Sequence, residues 1–216
     1  MVKPPDWAEK LIGEIGTKKI GGSSTKPGCL YHDLPFFTTK THRKNTELRV
    51  QKILDVYDIK GKKGLDIGCS VGGISFRLQK AGAEMTGIDY DVSVMKLATT
   101  IEEKYQTGAK FIRCDFSFSL ACNLVFHDFI IWFDHWMWLA KQKGEYEAIK
   151  VLKEVATKTN NLFFSTSQGD GQAKNRLFST EGDVIELLKH STDYIIVNLG
   201  TVNDKWHRRN IFWCHR

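Results

Sequence analysis

Residues 62–76, KKGLDIGCSVGGISF, decide the architecture. A strand-like apolar run at 64–67 falls into a glycine cluster and then into a helical pattern. Turns of this form cradle phosphates, because a bare helix N-terminus attracts negative charge. Here Asp66 stands just ahead of Gly68, and a carboxylate beside an anion is electrostatically poor. The loop therefore points to a ligand that meets it with positive charge.

Working outward, strands and helices alternate. Strands are predicted over 63–67, 84–89, 110–114, 128–132, 161–166, 193–199 and 210–215, and helices over 72–81, 92–105, 144–158 and 180–190. In the helix over 92–105, Val94, Ala98, Ile101 and Tyr105 recur at helical spacing. Upstream, 45–57 reads as an amphipathic helix with Leu48, Ile53, Leu54 and Tyr57 on its buried stripe. The alternation predicts an α/β fold, a Rossmann-like, mostly parallel seven-stranded sheet with helices on both faces. The last two strands have no helix between them, so they pair as an antiparallel hairpin and the final strand runs against the others. Residues 1–45 form an N-terminal appendage, a short helix over 6–15 followed by a Gly-, Ser-, Thr- and Pro-rich stretch that is either a lid or disordered. Residues 46–216 form the main domain.

Composition narrows the class. The chain has 216 residues, 42% hydrophobic and 26% charged, enough for one globular domain with an ample core. Its longest apolar run, DFIIWFDHWMWLA, is interrupted by Asp134 and His135 and does not suit a membrane span. The first ten residues lack the apolar core of a signal peptide. Five cysteines form no CxxC pair, and their odd number argues against a disulfide framework. A reduced, cytoplasmic protein is expected. The net charge of +6 comes from scattered Lys and Arg, which tolerates an anionic partner without demanding one. The pattern leaves the oligomeric state open, and a monomer satisfies it. No metal-ligand cluster has convincing spacing.

In such sheets ligands sit at the carboxyl ends of the strands, at the topological switch point. A dinucleotide loop reads GxGxxG. This one has Gly68 and Gly72 four apart, with Ser70 between them. The second strand ends in GIDYD and places Asp89 21 positions past Gly68, where an acid accepts from ribose hydroxyls. The third ends in RCDF and places Asp115 on the same rim, within reach of an adenine amino group. Three acids at three successive strand ends favour a nucleoside ligand carrying cationic groups, as S-adenosylmethionine does, over NAD.

At these motifs the chain resembles the class I S-adenosylmethionine-dependent methyltransferases: LDIGCSVGG is similar to their first motif, GIDYD to the second and CDF to the third. The resemblance runs over residues 62–216. It implies that Asp66, Gly68 and Gly72 hold the methionine end, that Asp89 binds the ribose and that Asp115 binds the adenine. Cys69, Ser70, Tyr90, Cys114 and Phe116, in the same motifs, complete the expected cofactor contacts. Ser70 departs from the glycine commonest at its position.

Methyl transfer needs alignment of the acceptor and exclusion of water, and a base only where the acceptor must lose a proton. The rim after the fourth strand faces the methyl group in this architecture, which makes His135 and Asp134 the candidate catalytic residues. An aromatic face beside a sulfonium contributes about 0.5–2 kcal/mol, and Trp136 and Trp138 lie on that rim. Trp132 reads as core. Trp136, Ser167, Gln168, His32 and Arg43 are the candidate acceptor contacts. The stretch DKWHRRN, 204–210, reads as a basic hairpin turn that contacts an anion or as a solvated turn, the second being favoured. The fourth strand is followed neither by an Asp/Asn/Ser-Pro-Pro-aromatic motif nor by Pro-Cys, which disfavours methylation of a base amino group or of cytosine carbon 5. A small-molecule acceptor methylated on oxygen or nitrogen is favoured. Transfer RNA is the runner-up, and a non-catalytic S-adenosylmethionine-binding protein is the rival from another class.

Overall fold

The computed structural model describes residues 2–15, 28–166, 181–203 and 208–216. The N-terminal part contains α1 (Asp6–Glu14), β1 (Leu30–His32), β2 (Thr41–Arg43) and α2 (Thr46–Leu54). Then follow β3 (Lys63–Ile67), α3 (Gly73–Lys80), β4 (Glu84–Asp89), α4 (Val92–Tyr105) and β5 (Lys110–Arg113). The second half contains α5 (Phe118–Asn123), β6 (Phe129–Phe133), α6 (Trp136–Lys143), α7 (Glu145–Ala156) and β7 (Asn161–Ser165). The chain closes with α8 (Glu181–Ser191), β8 (Ile195–Asn203) and β9 (Arg208–His215).

Seven strands form one sheet in the order β5-β4-β3-β6-β7-β9-β8. The first five pair in parallel, and β9 runs antiparallel to both β7 and β8. The chain winds outward from β3 through β4 to β5, then returns to lay β6 against the other side of β3. That reversal places the switch point between the carboxyl ends of β3 and β6.

Both faces of the sheet are covered, which is why its central strands read as unbroken apolar runs. In β6, FIIWF, Phe129, Ile131 and Phe133 enter the layer with α1, α2, α3 and α4. Ile130 and Trp132 enter the opposite layer with α7 and α8. Helix starts follow local chemistry: Asp91 caps α4 by accepting from the Ser93 and Val94 amides, and Ser117 caps α5 by accepting from Leu120.

The N-terminal segment shares this core. Phe36 packs edge-on against Phe76 of α3 and stacks on Tyr105 of α4, with ring centroids 5.0 and 4.4 Å apart. Arg77 of α3 ties it down, bonding the Asp33 carboxylate at 2.5 Å, the Asp33 carbonyl at 3.0 Å and Glu47 at 2.8 Å. Within the Gly- and Ser-rich stretch, β1 and β2 form a small parallel pair, Leu30 opposite Thr41 and His32 opposite Arg43.

The phase of α2 differs from the predicted stripe. Leu48 is 48% exposed, and the buried positions are Thr46, Arg49, Val50 and Ile53. The spacing is helical as expected, but a guanidinium and a hydroxyl occupy half of the inward face. Among the described residues no helix is long and apolar enough to cross a membrane.

Candidate active site

The loop after β3 is built from left-handed residues. Gly68 and Gly72 have φ of 75° and 76°, and Ser70 between them has φ of 52°. This explains why glycine is favoured at position 70: a residue with a Cβ is strained there by roughly 1–2 kcal/mol. At Gly68 a side chain is also excluded by space, since a Cβ would lie 2.6 Å from the His135 Cβ. His135, from the end of β6, thus rests directly on the loop.

The amides of this loop are turned to protein acceptors. Gly68 and Cys69 both donate to the Ile88 carbonyl, at 2.9 and 3.0 Å, and Gly72 donates to Cys69 at 2.9 Å. Ser70 donates to the Asp89 carboxylate at 2.9 Å. Four N–H groups of the loop are therefore occupied by protein acceptors.

Asp66 is buried and accepts from the Ser75 hydroxyl at 2.6 Å. Burial pushes its carboxyl up to about 7, the Ser75 hydrogen bond opposes this, and the neighbouring Asp89 adds to it. Asp89 is also raised, by burial first, although the Asp91 and Ser70 amides favour its charged form. A cation placed between these two carboxyls would meet groups ready to ionise. Cys69 is buried, its thiol pushed well up by burial and donating to Met95 sulfur at 3.9 Å. Tyr90 and Cys114 are half-buried beside Asp89, whose carbonyl accepts from the Cys114 amide at 3.0 Å. Asp115 is largely exposed and pairs with Lys143 of α6 at 2.9 Å.

On the β6 side, Phe116 packs edge-on against both Trp132 and His135. The Trp132 indole donates to His135 Nδ1 at 3.1 Å. Indole N–H is only a donor, so Nδ1 is unprotonated and the neutral ring carries its proton on Nε2. Burial lowers His135 to about 4. Trp132 is buried, as expected. Trp136 is buried too: its indole donates to Ala148 of α7 at 3.1 Å, which places it in the core beneath the sheet.

Asp134 does not join His135. It holds φ of 64°, is buried, and forms ion pairs with Arg49 of α2, at 2.9 Å, and with Arg209 of β9. His32 and Arg43, from β1 and β2, belong to the same neighbourhood. The His32 ring bonds Thr46 at 3.3 Å and is driven well below its ordinary value by burial and by Arg49, Arg43, Arg77 and Arg209. Arg43 lies over the Tyr31 ring, 4.7 Å from its centroid. Ser167 and Gln168 lie outside the described residues. Arg209, read from sequence as part of a solvated turn, is instead buried within β9. Arg49 carried a signal only in its spacing, four residues before the inward-facing Ile53. Arg209 carried none, because its burial depends on β9 inserting between β7 and β8.

No family model and no curated protein matches the chain. Solved structures do. The bifunctional kinase-methyltransferase WbdD superposes with a TM-score of 0.70 at 19% identity, over 82% of this chain and 40% of WbdD. Magnesium protoporphyrin IX methyltransferase (ChlM) from Synechocystis PCC 6803, solved with bound SAM, gives 0.63 at 19% identity, over 81% of this chain and 80% of that one. TehB from Haemophilus influenzae gives 0.57 at 15%, over 79% of this chain and 62% of TehB. The chain has the class I methyltransferase fold. It spans 40% of the WbdD chain, so the likeness concerns one part of that bifunctional protein.

Proposed function

We propose that the chain is an S-adenosylmethionine-dependent methyltransferase acting on an oxygen or nitrogen of a small-molecule acceptor. One observation carries this reading: at the switch point the Gly68, Cys69, Ser70 and Gly72 amides are occupied, and two carboxyls, Asp66 and Asp89, lie beside the loop. A cationic nucleoside fits that arrangement and a pyrophosphate does not. When bound, S-adenosylmethionine would supply an electrophilic methyl group on a cationic sulfur.

In this reading Asp66 holds the cationic methionine end, Asp89 accepts from the ribose hydroxyls, and Cys69, Tyr90, Cys114, Asp115 and Phe116 line the nucleoside. His135 lies against the loop with Nδ1 engaged by Trp132. Its Nε2–H is a donor, so it positions the acceptor rather than removing a proton from it. The described part of the N-terminal appendage acts as a cover, with β1 and β2 bringing Tyr31, His32 and Arg43 beside Arg49 and Arg209.

Calorimetry tests the core of the proposal. S-adenosylhomocysteine is expected to bind, and Asp89→Ala to weaken it by at least about tenfold, as loss of hydrogen bonds to a charged group does. Preferential binding of NAD would overturn the reading.

A further inference from the structure

Three guanidiniums converge beside the end of β6. Arg43, Arg49 and Arg209 are 4%, 0% and 2% exposed, and they come from β2, α2 and β9. The acid that pairs with two of them is Asp134. Arg49 is wholly buried and gives only its Nη1 to Asp134, and burying a guanidinium is unfavourable unless its remaining donors meet acceptors. The titration of the arginines reflects this. Burial and then the repulsion of Arg43 lower Arg49 to about 10, and burial lowers Arg209 to about 9 even though Tyr31 opposes the fall.

Donors without partners lie in the same neighbourhood. Arg49 Nε and Nη2 are buried with no hydrogen-bond partner, as is the Ser165 hydroxyl at the end of β7. Arg49 lies over the Phe133 ring, 5.6 Å from its centroid. Phe133 is the register partner of Ser165, and the Ser165 carbonyl accepts from the Asp134 amide at 2.7 Å. Buried donors of this kind are normally satisfied, so each one left over marks a place for an acceptor. Tyr31, half-buried, carries the Arg43 guanidinium over its ring.

We propose that Arg49, Arg43 and Arg209, with Ser165 and Tyr31, seat an oxyanion of the methyl acceptor, a carboxylate or a phosphoryl group. This rests on the methyltransferase reading, because Asp134 adjoins His135, which lies on the glycine loop. It narrows the acceptor to an anionic small molecule. Arginine forks match either oxyanion through paired hydrogen bonds. A polynucleotide backbone needs exposed cations, and these are enclosed.

The test uses the full chain, with and without saturating S-adenosylhomocysteine, titrated calorimetrically with inorganic phosphate and with acetate at constant ionic strength. Saturable binding of phosphate alone assigns a phosphoryl group, and of acetate alone a carboxylate. If both bind, the tighter one names the group. Arg49→Met is expected to weaken that binding by roughly ten- to a hundredfold while leaving S-adenosylhomocysteine affinity within about twofold. Because this substitution strands Asp134, a second readout uses the wild-type protein. The phenol of Tyr31 is identified in an absorbance titration by its disappearance in Tyr31→Phe. It should titrate at higher pH when phosphate or acetate is bound, since the anion offsets the arginine charge that now lowers it. Failure of both anions to saturate the protein, or unchanged affinity in a folded Arg49→Met, overturns the proposal. Failure of S-adenosylhomocysteine to bind would sink the methyltransferase reading separately, and the anion titration of the free protein would still judge the oxyanion seat.

Discussion

Replacing Asp66 with Asn should change the pH dependence of stability in a calculable way. The Asp66 carboxyl moves from 3.8 to about 7 in the folded chain, mainly through burial. Its folded value is raised, so the native state holds the proton more tightly than the unfolded chain does. The favourable contribution is therefore complete below pH 3.8 and is lost progressively as pH rises to about 7. A rise from 3.8 to about 7 corresponds to roughly 4 kcal/mol. Asn keeps the shape and can still accept from the Ser75 hydroxyl, but it never ionises. The unfolding free energy of Asp66→Asn minus that of the wild type should therefore grow with pH, by up to about 4 kcal/mol between pH 4 and 8. Urea unfolding of both proteins at five or so pH values measures this difference, and the other titrating groups cancel. A difference constant to within about 0.5 kcal/mol over that range would refute the reasoning. The same pair bears on the ligand. A cation beside Asp66 favours the carboxylate, so binding of S-adenosylmethionine near pH 6.5 should release protons in the wild type and fewer in Asp66→Asn, read from calorimetry in buffers of different ionisation enthalpy.

Gly68→Ala should destabilise the chain by about 1–3 kcal/mol, because φ is 75° and the new Cβ would meet His135; an unchanged thermal midpoint would contradict the loop geometry. His135→Ala should lower turnover on an identified acceptor by at least about tenfold while S-adenosylhomocysteine affinity stays within about twofold. Because burial holds His135 near 4, the wild-type rate should show no break from this residue between pH 5.5 and 7.5, and a break near 6.5 that vanishes in His135→Ala would show that the ring titrates there.

What the sequence determined by itself was local. The run 62–76 turns from strand to glycine loop to helix within fifteen residues, and each step follows from residue type: apolar residues buried on both faces, glycines where φ is positive, then a helical repeat. The acids Asp66 and Asp89 mark strand ends because a carboxylate stops an apolar run, so half of the candidate site was legible from strand ends alone. The hairpin at the C-terminus followed in the same way, from the missing helix between β8 and β9. What the tertiary structure decided involves charges and aromatics whose surroundings are distant in sequence. Arg43, Arg49, Asp134 and Arg209 meet because α2 packs on β8 and β9, β6 returns to the centre of the sheet, and β9 inserts beside β7. A chain position cannot state which of its arginines will lose water. Composition places arginine on the surface by default, and Leu48 then competes with Arg49 for the inward face of α2. Trp136 shows the reverse: a tryptophan next to a strand end has the same sequence signature whether it faces a ligand or the core, and the packing of α6 on α7 sends it to the core. Ionic partnership across such separations depends on the topology of the sheet, which buries the charges together and makes their pairing obligatory.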